Sequence, residues 1–250
     1  MRAQGSYQVV SVPDGGTISG TVTWSGPQPR LVPFPITKDI DVCDPNSRKK
    51  IDLERLVIGP AGGVANTVVY LKDVSHGKAM DLPEPRRSLD QKNCRYWPHV
   101  LLVPENGTLQ MVSSDPVLHN VHMDGASTFN LPFPFRGRVQ SQPMPHAGIS
   151  DMRCNGGHLW MNGVVVVAPH PYYAVTDAEG VFTLTGVPPG RYEIVAWHEG
   201  WSVAHLQDTI DVSTSTHVER PVFSLPKTWE KDVVVAPNAT VRVDFTLSQK

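Results

Sequence analysis

The chain has 250 residues, enough for one or two domains with a substantial buried core. Charged residues make up 18% and the net charge is -2, so neither nucleic acid nor an anionic membrane surface is an expected partner. The 20 glycines and 23 prolines separate short segments rich in Val, Thr and Ile, and no apolar run reaches membrane-spanning length. An all-β protein of many short strands is expected.

In chain order, residues 1–6 contain no apolar signal-peptide core. Pro13-Asp14-Gly15-Gly16 is a turn, and residues 17–24 alternate as a strand does. A proline-broken loop follows with Cys43 and the basic run Arg48-Lys49-Lys50, whose natural place is a solvated surface. Residues 53–58 are expected as a short strand, 59–63 as a break and 64–71 as another strand. Residues 72–93 are polar and contain Pro83 and Pro85, as a connection would. Strands 99–103 and 108–112 flank Asn106-Gly107, a strong hairpin signal. Strand 119–123 comes next, then the aromatic stretch 129–135, then strands 137–140 and 148–153.

Cys154-Asn155-Gly156-Gly157-His158-Leu159-Trp160-Met161 places a thiolate, an imidazole and a thioether in one short loop, ahead of the apolar run 164–167. Two His, one Cys and a weak axial Met form the ligand set of blue-copper electron-transfer sites. The loop lacks one His, and Leu118-His119-Asn120-Val121-His122 lies upstream to supply it. His119 and His122 are an odd number of positions apart, so strand alternation puts them on opposite faces.

A His-Asn pair followed by a Cys…His…Met loop resembles the cupredoxin family. The Cys-x3-His-x2-Met spacing falls among its short loops, although three intervening residues are not its commonest value. The resemblance covers roughly the middle third of the chain. It implies a Greek-key sandwich and one type 1 copper held by His119, Cys154, His158 and Met161. It also implies one-electron transfer to a redox partner protein (a cytochrome, or a copper or haem enzyme) and a periplasmic or otherwise extracytoplasmic mature form. In an oxidising compartment Cys43 and Cys94 are expected to form a disulfide, with two separate buried thiols as the alternative. In the family the C-terminal histidine has its ring edge near solvent. His158, preceded by two glycines, is thus the expected electron port, with Phe133 and Phe135 on the expected docking surface. Two other readings stay open: a copper-binding or delivery protein without redox turnover, and a structural module with a vestigial site.

The last third has a different pattern. Thr176-Asp177-Ala178-Glu179-Gly180-Val181-Phe182 and Val187-Pro188-Pro189-Gly190-Arg191-Tyr192 read as strands joined by turns. Asp177 can bind its own turn backbone, Gly180 permits positive φ, and Phe182 and Tyr192 suit a buried face. These motifs resemble the carboxypeptidase-regulatory-like (transthyretin-like) β-sandwich family, whose first strand is similar to Gly16-Thr17-Ile18-Ser19-Gly20-Thr21-Val22. The expected organisation is residues 1–74 and 170–250 forming that sandwich, with the cupredoxin domain, 75–169, inserted. Residues 240–247 would be its closing strand and 213–232 an elaborated loop; a plain tandem is the alternative. His99, His122, His170 and His198 share no metal-ligand spacing. Without Gly-x-Ser-x-Gly, His-Glu-x-x-His or a phosphate loop, the chain is not expected to be an enzyme.

Overall fold

The computed structural model describes residues 7–82, 88–211 and 214–249. Residues 1–6, the prolines at 83 and 85, and Ser213 lie outside the described residues. The chain is an all-β protein of sandwich-like sheets, with one short helix, Ile40–Cys43, among the described residues.

On the side of the Cys154 loop, a five-stranded sheet runs in the order Phe129–Phe133, His119–Gly125, Gly148–Arg153, Asn162–Ala168, Val100–Pro104. A four-stranded sheet, Val139–Met144, Gly107–Ser113, Ser88–Lys92, Arg95–Trp97, supplies the opposing layer. Leu109 and Met111 alternate with outward Thr108 and Gln110, so one face of that layer is apolar and packs on Val121, Met123, Phe133 and Val165. The apolar runs 100–103 and 164–167 follow from burial on both faces. Leu101, Val103, Val165 and Val167 point into this core, whereas Val100, Leu102, Val164 and Val166 pack outward against Val68, Val175 and Trp197. The two strands pair in parallel, as strands covered on both faces commonly do.

A second sandwich draws on both ends of the chain. One sheet has the order Tyr173–Val175, Val68–Leu71, Gly190–His198, Lys227–Val235. In the other, Gly16–Trp24 pairs antiparallel with Val181–Val187 and parallel with Thr240–Arg242 and Phe245–Leu247. Ile18, Val22, Phe182, Leu184, Ile194 and Phe245 fill the space between. The Asp177 turn forms as its residues suggest: Oδ1 accepts from the Val181 N–H (2.8 Å) and the Glu179 N–H (3.1 Å), and Gly180 has φ of 75°.

Several elements differ from the sequence expectation. Residues 53–58 form no strand. Leu53 drops into the core under the Cys154 loop, Arg55 is buried in an ion pair with Glu199, and only Ile58 bridges Val64. Ile36 and Cys43 join the same core, so part of the first 74 residues covers the side of the Cys154 loop. The described part of 213–232 is not a loop: Thr216–Phe223 pairs with Val203–Asp211 in a two-stranded ribbon, and Lys227–Val235 is a sheet strand. The stretch 240–247 divides at Asp244, whose carboxylate accepts the Thr21 N–H (2.8 Å) in place of a ladder bond. The strand expected at 137–140 is Val139–Met144, and the polar connection contains Ser88–Lys92. Among the described residues no helix is long and apolar enough to cross a membrane.

Gly20 is dictated by close approach, since a Cβ there would lie 1.7 Å from the Val243 carbonyl oxygen. Gly20→Ala is expected to lower stability by about 1–3 kcal/mol through overpacking. A urea titration checks this; an unchanged midpoint would mean that the Val243 backbone yields freely.

Candidate metal centre

His119 opens a strand of the five-stranded sheet, and Cys154 lies just beyond the end of its antiparallel neighbour Gly148–Arg153, where Arg153 pairs with His122. The loop then turns back to bring His158 over the same spot. Cys154 Sγ lies 3.8 Å from His158 Nδ1, and the Nδ1 atoms of His119 and His158 face each other at 3.3 Å. His119, Cys154 and His158 each offer a donor atom within 4.8 Å of the others, and all three are buried. Gly156 makes room, with its N–H donating to Cys154 Sγ (3.3 Å).

The far nitrogen of each ring is held by a carboxylate. His119 Nε2 lies 2.9 Å from Asp115 Oδ2, and His158 Nε2 lies 2.9 Å from Asp39 Oδ2. In a neutral ring a carboxylate partner holds the proton on Nε2 and leaves the Nδ1 lone pair directed at the site. At 3.3 Å the two Nδ1 atoms are close enough to share a proton or a metal cation between them. Burial alone would raise the Cys154 thiol, but its hydrogen bonds to His119 and His158 bring it down to about 6. Burial disfavours a charged His119, yet hydrogen bonds to Asp115 and Cys154 raise it to about 9. Burial likewise pushes Asp115 up, and the His119 bond with two backbone N–H bonds more than reverses that. The pocket sets a cysteine sulfur beside two imidazole nitrogens, a donor set that fits a soft or borderline first-row ion.

Further contacts lock the loop. Asn120 Oδ1 accepts the Asn155 N–H (3.2 Å) while its amide donates to Asn130 Oδ1 (2.6 Å). A disulfide joins Cys43 to Cys94, and the Trp160 indole donates to the Cys94 carbonyl (2.9 Å). Met161 is buried in the same core as Cys154, with its N–H on the His158 carbonyl (3.0 Å). His122 is directed elsewhere, between Arg153 (2.8 Å) and Asn155 (2.8 Å), as strand alternation requires. Arg220, from the ribbon, donates to the Cys154 carbonyl (3.3 Å) and to Asn155 Oδ1 (3.0 Å). It lines a cleft of about 680 Å³ together with Asn155 and Met161.

Three expectations are corrected. His158 has no exposed edge: it is 0% exposed and sits beneath Asp39. The glycines before it do not open an approach, because Gly157 (φ 93°) packs under Lys38 and Asp211, an ion pair at 3.2 Å. Phe133 is a core residue at 0% exposure, paired with His119 across the sheet, while Phe135 beyond the strand end is 58% exposed. The other histidines are dispersed: His99 bonds Glu199, His198 Nδ1 faces the Glu199 carbonyl (2.8 Å), and His170 lies among Tyr7, Tyr172 and Tyr173. Among the described residues none of them joins a group of three metal donors. The sequence reading missed Asp39, Asp115 and Arg220. Asp115, four positions before a ligand-type His, left a faint signal, and the other two left none.

Residues 156–220 match the family described as Polysaccharide lyase family 4, domain II, a stretch well under half of the chain. No curated protein matches. Among solved structures the chain is similar to a Cu-containing nitrite reductase (NirK) from Thermus scotoductus SA-01, at 21% identity over 36% of this chain, with TM-score 0.31. The matched region spans only 24% of that reductase. It is also similar to an oxidized proline-to-glycine mutant of amicyanin, at 24% identity over 36% of this chain and 89% of that one, TM-score 0.31. The Cu(I) form of a methionine-to-alanine mutant of amicyanin aligns at 23% identity over 40% of this chain and 98% of that one, TM-score 0.30.

Asp39→Asn keeps a residue that tolerates the left-handed backbone at position 39 (φ 48°) but removes the anionic acceptor from His158. Metal affinity, followed by Cu(I) competition against a chromophoric chelator, should fall about 10–100-fold with little change in thermal stability. An unaltered affinity would show that the carboxylate does not orient the ring.

Proposed function

We propose that the chain is a type 1 copper protein that carries single electrons, with His119, Cys154 and His158 as the close ligands and Met161 as the weak axial one. The observation that carries this reading is the convergence of two Nδ1 atoms and Sγ, each ring backed by a carboxylate. When bound, copper supplies a one-electron couple whose potential is tuned by the surrounding apolar shell. Asp39 and Asp115 hold the imidazoles, the loop glycines admit the sulfur, and Trp160, edge-on to His158 with centroids 5.4 Å apart, excludes water beside it.

With His158 covered, the path to a redox partner protein runs through Cys154 and its carbonyl contact with Arg220 at the cleft. The disulfide supports an extracytoplasmic location. The second sandwich acts as a transthyretin-like scaffold and the chain has no catalytic role of its own. One observation favours a second reading, a copper-holding protein without turnover: all three donors are fully buried.

The copper-loaded protein should show an intense visible thiolate-to-Cu(II) band. Cys154→Ser should abolish it, His119→Ala should greatly weaken copper binding, and His122→Ala should leave both intact. Bleaching by His122→Ala alone would overturn the ligand assignment. Protein-film voltammetry separates the two readings: a reversible one-electron wave marks a carrier, and a coloured protein without a wave marks a holder.

A further inference from the structure

The disulfide lies against the proposed copper ligands. Both sulfurs and a ring nitrogen of His158 lie within 4.8 Å of one another, and Cys94, Asp115 and His119 form a second such group. All of these residues are buried. Both cysteines are anchored independently of the S–S bond. Cys94 gives its N–H to Asp115 Oδ2 (2.7 Å) and accepts the Trp160 indole at its carbonyl. The Cys43 N–H donates to the Asp39 carbonyl (2.8 Å) at the end of the one-turn helix. The Cα atoms are 5.3 Å apart, and these backbone anchors do not depend on the crosslink.

We propose that reduction of Cys43–Cys94 opens a second, soft-metal site made of Cys43, Cys94 and His158. A thiol reductant gives two electrons to the sulfur–sulfur bond, which breaks to two protein thiols while the reductant leaves as its own disulfide. A divalent cation then takes the two sulfurs as thiolates and releases two protons. Two thiolates with an imidazole suit zinc, and the same donors suit copper(I). Because His158 belongs to both donor groups, the oxidised chain commits it to Cys154 and His119, whereas the reduced chain offers it to the new pair. The thiol redox state thereby selects which of two adjacent sites holds metal.

The experiment uses the full chain with Cys154→Ser, which removes the first centre, so a negative result here leaves the copper reading untouched. Cobalt(II) is added before and after reduction with a water-soluble phosphine. One equivalent should bind only after reduction, with an intense near-ultraviolet thiolate-to-cobalt band. Bound cobalt should protect Cys43 and Cys94 from iodoacetamide, read by mass spectrometry. Adding His158→Ala should weaken binding at least about tenfold, as loss of a metal-site group does. The proposal is overturned by absence of the band, by equal alkylation with and without cobalt, or by affinity indifferent to His158→Ala. Loss of the far-ultraviolet β-sheet signal on reduction also overturns it, because the site requires the folded frame.

Discussion

The Asp115 carboxylate accepts the Nε2–H of His119 and the backbone N–H of Cys94 on one oxygen, and the N–H of Asn93 on the other. Cys94 is crosslinked to Cys43, which ends the short helix that begins after Asp39, and Asp39 holds His158. One connected frame therefore orients both imidazoles, although the two histidines lie 39 positions apart. A buried carboxylate stripped of such partners would bear a desolvation penalty, so its bonds are made together or not at all. The frame also retains unusual backbone. Asp39, Asn93 and Cys94 have φ of 48°, 54° and 53°. Each such residue costs roughly 1–3 kcal/mol and persists only where its surroundings over-determine it. Here the left-handed conformation turns two successive N–H groups onto one carboxylate.

The rest of the molecule keeps that frame closed. The inner strands Val100–Pro104 and Asn162–Ala168 are covered on both faces, so the sheet that bears His119 and leads into Cys154 is continuous with the packing of the second sandwich. Arg55, Glu199 and His99 form a buried ionic cluster at that junction, with the Arg55 side chain also donating to the Gly200 carbonyl (2.9 Å) and stacking on Phe223. A buried ion pair adds little net stability over an apolar packing, but removing one partner is expensive. The ribbon reaches across from this junction to place Arg220 on the Cys154 carbonyl and Asp211 on Lys38 above Gly157. The ribbon thereby contributes to closure of the site.

Local chemistry explains what was legible in the chain. Donor type and spacing marked His119, Cys154, His158 and Met161, and the two-residue period of a strand separated His119 from His122. The apolar run 164–167 marked a strand without saying that both its faces are covered. Phe133 and Phe135 share a parity, so alternation could not distinguish them; the strand ends at Phe133, and only the fold shows that Phe135 lies past the sheet. Residues 53–58 have strand-like composition, but Leu53 and Arg55 are claimed by two different long-range contacts, which override local preference.

The sequence by itself determined the all-β architecture, and it set out candidate donors while leaving open whether Cys43 and Cys94 pair. These are written in residue type and short-range period, which act over a few positions. Only the tertiary structure decided that Asp39, 119 positions from His158, caps its ring, that Asp115 joins His119 to a disulfide cysteine, and that His158 is sealed from solvent. A carboxylate carries no mark of which distant imidazole it will meet. That choice is made by sheet register and crosslinking, once the chain has closed its cores.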